Sequence, residues 1–70
     1  MVHIGKIIEE KLVKESRTPA WLARQMGHHR SYVHRLLKKP TVDTGDLEII
    51  SNILKFDFFT CYNSSIEESL

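Results

Sequence analysis

The stretch Thr18-Pro19-Ala20-Trp21-Leu22-Ala23-Arg24-Gln25-Met26-Gly27-His28-His29-Arg30-Ser31-Tyr32-Val33-His34-Arg35-Leu36 decides how the rest of the chain is read. Thr18 before Pro19 reads as a helix N-cap followed by proline at the first helical position, where its missing N–H costs nothing. Leu22, Ala23 and Met26 then form an inner stripe, and Gly27 stops the helix where a left-handed backbone is cheapest. A second helix is expected from about His29 to Lys39, with Val33, Leu36 and Leu37 on its inner side at i, i+3 and i+4. Its outer side carries Ser31, His34, Arg35 and Lys38 at i, i+3, i+4 and i+7, with Arg30 beside the N-terminal end. Ala23 is small enough to let the two helices cross closely, and Val33 reaches from the second into the core they share.

Working outward, Ile4, Ile7, Ile8 and Leu12 recur at helical spacing among charged residues and predict an amphipathic helix over about 2–15, ended by Ser16 and Arg17. On the far side Pro40 stops the basic helix. Asp43 is placed to cap a further helix, with Asp46 three residues on and Val42 set to pack against Leu47 in a hydrophobic staple. That helix would bury Leu47, Ile50, Ile53 and Leu54. Asp57 is placed to cap a last short helix holding Phe58, Phe59, Cys61 and Tyr62. Asn63, Ser64 and Ser65 then signal a turn and a tail that frays. The expected fold is therefore all-α, a compact bundle of about five short helices, with one domain over residues 1–63 and a frayed tail over 64–70. A 41% hydrophobic chain with 3 Gly and 2 Pro is too apolar for disorder and too poor in breakers for a many-turned β fold.

The net charge of +1 hides a sorting of signs. Residues 1–16 balance Lys6, Lys11 and Lys14 against Glu9, Glu10 and Glu15. Residues 17–42 hold Arg17, Arg24, Arg30, Arg35, Lys38 and Lys39 with no acid at all, together with His28, His29 and His34. Residues 43–70 set Asp43, Asp46, Glu48, Asp57, Glu67 and Glu68 against Lys55 alone. A basic middle between a neutral and an acidic segment points to one face built for a polyanion.

Two short helices joined by a glycine turn, apolar inside and basic outside, describe a helix-turn-helix. The quoted stretch, with its Leu22-Ala23, Gly27 and Val33, resembles the helix-turn-helix of the phage repressor and Cro family of transcriptional regulators. The resemblance extends through the fourth helix, Leu47 to Leu54. It implies a domain that binds double-stranded DNA sequence-specifically, with the helix from Arg30 to Lys38 in the major groove. Arg30, Ser31, His34 and Arg35 match the family's base-contacting positions. His29, Lys38 and Lys39 match positions that meet phosphate, and Tyr32 and Thr18 are assigned to the same phosphate set. Arginine offers two donors to guanine O6 and N7, and serine serves several base edges. The chain departs from the family's pattern in two places. Pro19 stands where a phosphate-touching glutamine is frequent, and Leu37-Lys38-Lys39-Pro40 replaces the usual acidic residue and glycine.

Other chemistries are weakly represented. Cys61 is the only cysteine, which excludes an intrachain disulfide and any zinc site of the two- or four-cysteine kind, and fits a reducing cytoplasm. His29 and His34 are five apart, poor spacing for two ligands on one helix face, so no metal and no cofactor is expected. No nucleophile elbow, phosphate-cradling glycine loop or paired-carboxylate site is present, and an enzyme is not expected. Cys61 among Phe58, Phe59 and Tyr62 reads as a buried, inert thiol. Trp21 reads as a core or interface anchor. No apolar run approaches the ~20 residues of a membrane span or the core of a signal peptide, which points to a cytoplasmic protein without a membrane partner.

A chain of this size buries only roughly 60% of its unfolded surface, and an apolar C-terminal cluster is left over. Phe56, Phe58, Phe59, Tyr62 and Ile66 are expected to form a homodimer interface, with Glu67 and Glu68 at its rim, so that two reading helices meet an inverted-repeat operator. The competing class is a helical protein-interaction module, antitoxin- or adaptor-like, that uses the acidic, aromatic C-terminal segment.

Overall fold

A computed structural model describes residues 2–63 and residue 66, and among them the fold is all-helical, with four α-helices, one 3-10 helix and no strand. The α-helices are α1 (Ile4–Lys14), α2 (Pro19–Met26), α3 (Arg30–Leu37) and α4 (Thr44–Leu54), and the 3-10 helix is Phe58–Tyr62. The expected rim residues Glu67 and Glu68, and the tail apart from Ile66, lie outside the described residues.

Each helix contributes the stripe its spacing announces. Ile4, Ile8 and Leu12 of α1 meet Leu22 and Ala23 of α2, Val33, Leu36 and Leu37 of α3, and Leu47, Ile50 and Leu54 of α4 in one buried cluster. Ile7, Met26 and Ile53 lie half-buried against it, with Val42 and Trp21 beside them. Phe58 closes the cluster with no exposed surface. This corrects one expectation: of the five residues assigned to a dimer surface, Phe58 belongs to the core instead, with the Phe56 ring edge-on to it at 4.9 Å. The 3-10 segment turns it inward. Asp57 accepts the Phe59 N–H at 3.0 Å, and its carbonyl accepts the Thr60 N–H at 3.3 Å. Five residues are too few for a stable α-helical nucleus, and the tighter turn takes its place.

The helix ends explain the remaining differences. α1 begins two residues later than its apolar spacing implies, because Nδ1 of His3 accepts the Lys6 N–H at 3.1 Å and makes His3 the cap. α3 is likewise shorter at both ends. His29 caps it, and beyond Leu37 the chain turns so that the carbonyls of Lys39 and Pro40 accept the N–H groups of Gly5 and Ile4 at 3.1 and 3.0 Å. The orphan donors at the start of α1 are thereby matched to acceptors past the end of α3. This approach is so close that a Cβ on Gly5 would lie 2.5 Å from the carbonyl oxygens of both Leu37 and Lys39.

α2 has the bounds read from Thr18, Pro19 and Gly27. The Thr18 hydroxyl oxygen accepts the Trp21 N–H at 3.1 Å, and Gly27 takes φ +76°. α1 ends in the same left-handed manner at Ser16, with φ +57°, where Arg17 N–H reaches the Leu12 carbonyl at 2.8 Å and Ser16 N–H the Val13 carbonyl at 3.0 Å. That pair of bonds is a Schellman motif carried by a residue with a Cβ. Ser16→Gly is therefore expected to stabilise the protein by about 0.5 to 1 kcal/mol, the strain of a left-handed non-glycine residue outweighing the unfolded entropy glycine gains. A higher urea midpoint with unchanged slope is the expected reading, and a lower midpoint contradicts the assignment.

Candidate nucleic-acid interface

α3 is packed on α2 and α1 through Val33, Leu36 and Leu37, which fixes what it shows to solvent. Ser31, His34, Arg35 and Lys38 are all exposed along the opposite side, with Arg30 next to them at the first turn and Lys39 just past the end. The residues assigned to base contact thus share one helix face. Among the described residues the ion pair formed is Lys11–Glu15 at 3.0 Å, on α1, and none of the cations of α3 is paired. Their charge is left to act on whatever approaches.

The N-terminal end of this face is organised by His29. Its Nδ1 accepts the Ser31 N–H at 3.2 Å and lies 2.9 Å from the Ser31 hydroxyl. An imidazole accepting at Nδ1 carries its proton at Nε2, which places an N–H donor on the outward side of an exposed ring. Thr18, also exposed, uses its oxygen as an acceptor for the α2 cap and keeps its O–H as a donor. Both residues retain the donor that a phosphate contact requires.

Tyr32 is turned differently. It is half-buried, its ring stacks on His28 with centroids 4.1 Å apart and planes at 20°, and its O–H donates to the Asp46 carboxylate in the first turn of α4. The hydrogen bond to Asp46, then burial, then the charges of Asp46 and Asp43 push the Tyr32 hydroxyl above its ordinary range, with Arg35 opposing them. The proton stays on Tyr32 at neutral pH and is committed within the chain, so Tyr32 does not offer phosphate the donor that sequence reading assigned to it. Asp43 and Asp46 also mark where the basic face ends. With Tyr32, Arg35 and Lys39 they line a concavity of about 340 Å³ between α3 and the start of α4.

The apolar surface is more scattered than the sequence implies. Phe56, Phe59 and Ile66 are exposed and Tyr62 is half-buried. Yet Val13 on α1, at 73% exposure, and Ile49 on α4 are also exposed and went unnoticed in the sequence. The Lys11 ammonium sits 5.0 Å over the Phe56 ring and screens part of it. Trp21 is half-buried with the Arg17 guanidinium 4.6 Å above its ring. Cys61 is half-buried, and burial followed by the charge of Asp57 pushes its thiol up, so it is a poor nucleophile at neutral pH.

His28 and His3 had no signal of their own for these roles, and Asp46 was read only as part of the helix start after Asp43. His28 and Asp46 act through Tyr32, 14 residues before Asp46, and histidine is not among the residue types a cap is sought in. Among the described residues no group of three or more His, Cys, Asp and Glu is placed to hold a metal ion, and no helix is long and apolar enough to cross a membrane. Compared with protein-family models, curated proteins and solved structures, the chain has no match.

Proposed function

We propose that this protein binds double-stranded DNA sequence-specifically as a cytoplasmic regulator of transcription, with α2 and α3 acting as a helix-turn-helix and α3 entering the major groove. The observation that carries the reading is the exposed row Ser31, His34, Arg35 and Lys38 on a helix whose other side is fully committed to the core, with no acid among the described residues paired to its cations. An α-helix with side chains is ~10 to 12 Å across, and the major groove is ~12 Å wide. Arg30, Ser31, His34 and Arg35 face base edges in this arrangement. Lys38, Lys39, His29 and Thr18 flank them as phosphate contacts, which set register without reading sequence.

A homodimer completes the proposal. One α3 reads too few base pairs to supply the ~10³ to 10⁷ preference over random DNA that specific regulators show, and two copies on an inverted repeat double the contacts. Phe56, Phe59, Tyr62 and Ile66 are the residues offered to the second copy. The competing protein-interaction module draws support from Val13, exposed on a helix remote from α3 in sequence.

A salt titration of binding to random duplex separates the two, since only phosphate neutralisation gives a steep linear fall of log K with log salt. In the same assay Lys39→Ala is expected to weaken selected and random duplex alike and to reduce the slope by about one. An altered sequence preference with an unchanged slope moves Lys39 out of the phosphate set. Binding that ignores salt favours the protein-interaction module.

A further inference from the structure

α3 and α4 make little direct contact with each other. α3 packs mainly on α2 and α1, whereas α4 packs on α2 and the 3-10 helix, and the concavity of about 340 Å³ separates the foot of α3 from the start of α4. Tyr32 spans this gap. Its ring is held against His28, in the turn after α2, and its O–H against Asp46, in the first turn of α4. Among the described residues this is the only side-chain to side-chain hydrogen bond that joins two helices; the His29–Ser31 contact is local to one helix end. An O–H donor on an ionised carboxylate is among the stronger hydrogen bonds, and half-burial of both partners reduces competition from water.

The leverage on the reading face is large. From Arg30 to Lys38 the helix rises ~12 Å, so a tilt of ~10° moves one end by ~2 Å, enough to break a bidentate contact whose bonds are ~2.9 Å long. Phosphate contacts from flexible lysines tolerate such a shift; paired donors on a base edge do not.

We infer that Tyr32 and Asp46 are positioning residues whose bond fixes the tilt of α3 against α4 and thereby the sequence discrimination of the α3 face. The inference deepens the duplex-binding reading and depends on it for the binding half of its test. Tyr32→Phe keeps the ring and its stack on His28 and removes only the donor. Asp46→Asn keeps an acceptor oxygen and removes the charge, and Asp46→Leu removes both. Residual dipolar couplings of the backbone amides report the angle between α3 and α4 in the free, full-length chain, and affinities for a selected and a random duplex report discrimination.

Tyr32→Phe and Asp46→Leu should change the α3–α4 angle beyond the spread of wild-type measurements, while Asp46→Asn should restore the wild-type angle. The ratio of random to selected Kd should fall about 3- to 10-fold in Tyr32→Phe, as expected for one lost hydrogen bond, with random-duplex affinity within about twofold of wild type. Asp46→Asn should keep the ratio and bind both duplexes more tightly, because a negative charge has left the edge of the face. An unchanged angle in Tyr32→Phe overturns the inference, and so does an equal loss on both duplexes, which would make Tyr32 a phosphate contact. If the wild-type chain prefers no duplex, the duplex reading fails, and the couplings still decide whether the bond sets the angle.

Discussion

Replacing Gly5 with alanine is expected to destabilise the protein by about 2 to 4 kcal/mol. The added Cβ would lie 2.5 Å from two backbone oxygens, those of Leu37 and Lys39, and 2.8 Å from the Leu37 carbonyl carbon. No side chain can rotate away to relieve contacts with main chain. α1 must retreat from the end of α3, and in retreating it loosens the bonds from Ile4 N–H to Pro40 and from Gly5 N–H to Lys39. The better helix propensity of alanine returns at most about 1 kcal/mol. A chain of 70 residues has a total stability of only ~4 to 10 kcal/mol, so the variant should melt roughly 10 to 25 °C lower. Gly45→Ala is the internal control: its Cβ would meet nothing nearer than the Asp43 carboxylate at 3.6 Å, and the variant should be as stable as the wild type or more so. Equal melting temperatures for Gly5→Ala and wild type would show that α1 does not dock on the α3 terminus in this way.

Arg35→Ala is expected to weaken binding to the preferred duplex by about 1 to 3 kcal/mol, a factor of about 5 to 150, and to relax preference at one or two base positions. Arg35 is exposed, one helical turn from Ser31, and forms no ion pair among the described residues. Its removal should leave folding untouched, because the stripe that anchors α3 is on the other side. Random duplex loses only one cation's share of affinity. The discriminating measurement is therefore the ratio of the two affinities, and equal weakening on both duplexes would assign Arg35 to phosphate.

What was legible in the sequence, and what was not, divides along a physical line. Helix stripes and several ends, the starts capped by Thr18, Asp43 and Asp57 and the stop at Gly27, were legible because they are local. Ile4, Ile8 and Leu12 repeat at the helical period, and Thr18-Pro19 with Gly27 marks a start and a stop by chemistry within one turn. Tertiary approach leaves no such mark. Nothing near Gly5 in sequence marks it, because what demands a glycine there is backbone more than 30 residues away. Tyr32 was assigned to phosphate contact, and only the arrival of Asp46 shows that its hydroxyl is committed within the chain. Phe58 failed for a related reason: in a run of aromatics, composition cannot say which ring turns inward, and the 3-10 geometry set by Asp57 selects it. His3 and His29 serve as caps through Nδ1, a use of histidine that its side-chain chemistry allows and that cap statistics rank low.

The central claim is that the exposed side of α3 reads duplex DNA, and selection from a randomised duplex pool tests it most directly. The wild-type chain should enrich a short motif, arranged as an inverted repeat with half-site centres ~10 base pairs apart if two copies bind. The double variant Arg30→Ala/Arg35→Ala should retain its fold and lose the enrichment. Failure of the folded wild-type chain to retain any duplex at low salt, or enrichment of the same motif by the double variant, would contradict the claim.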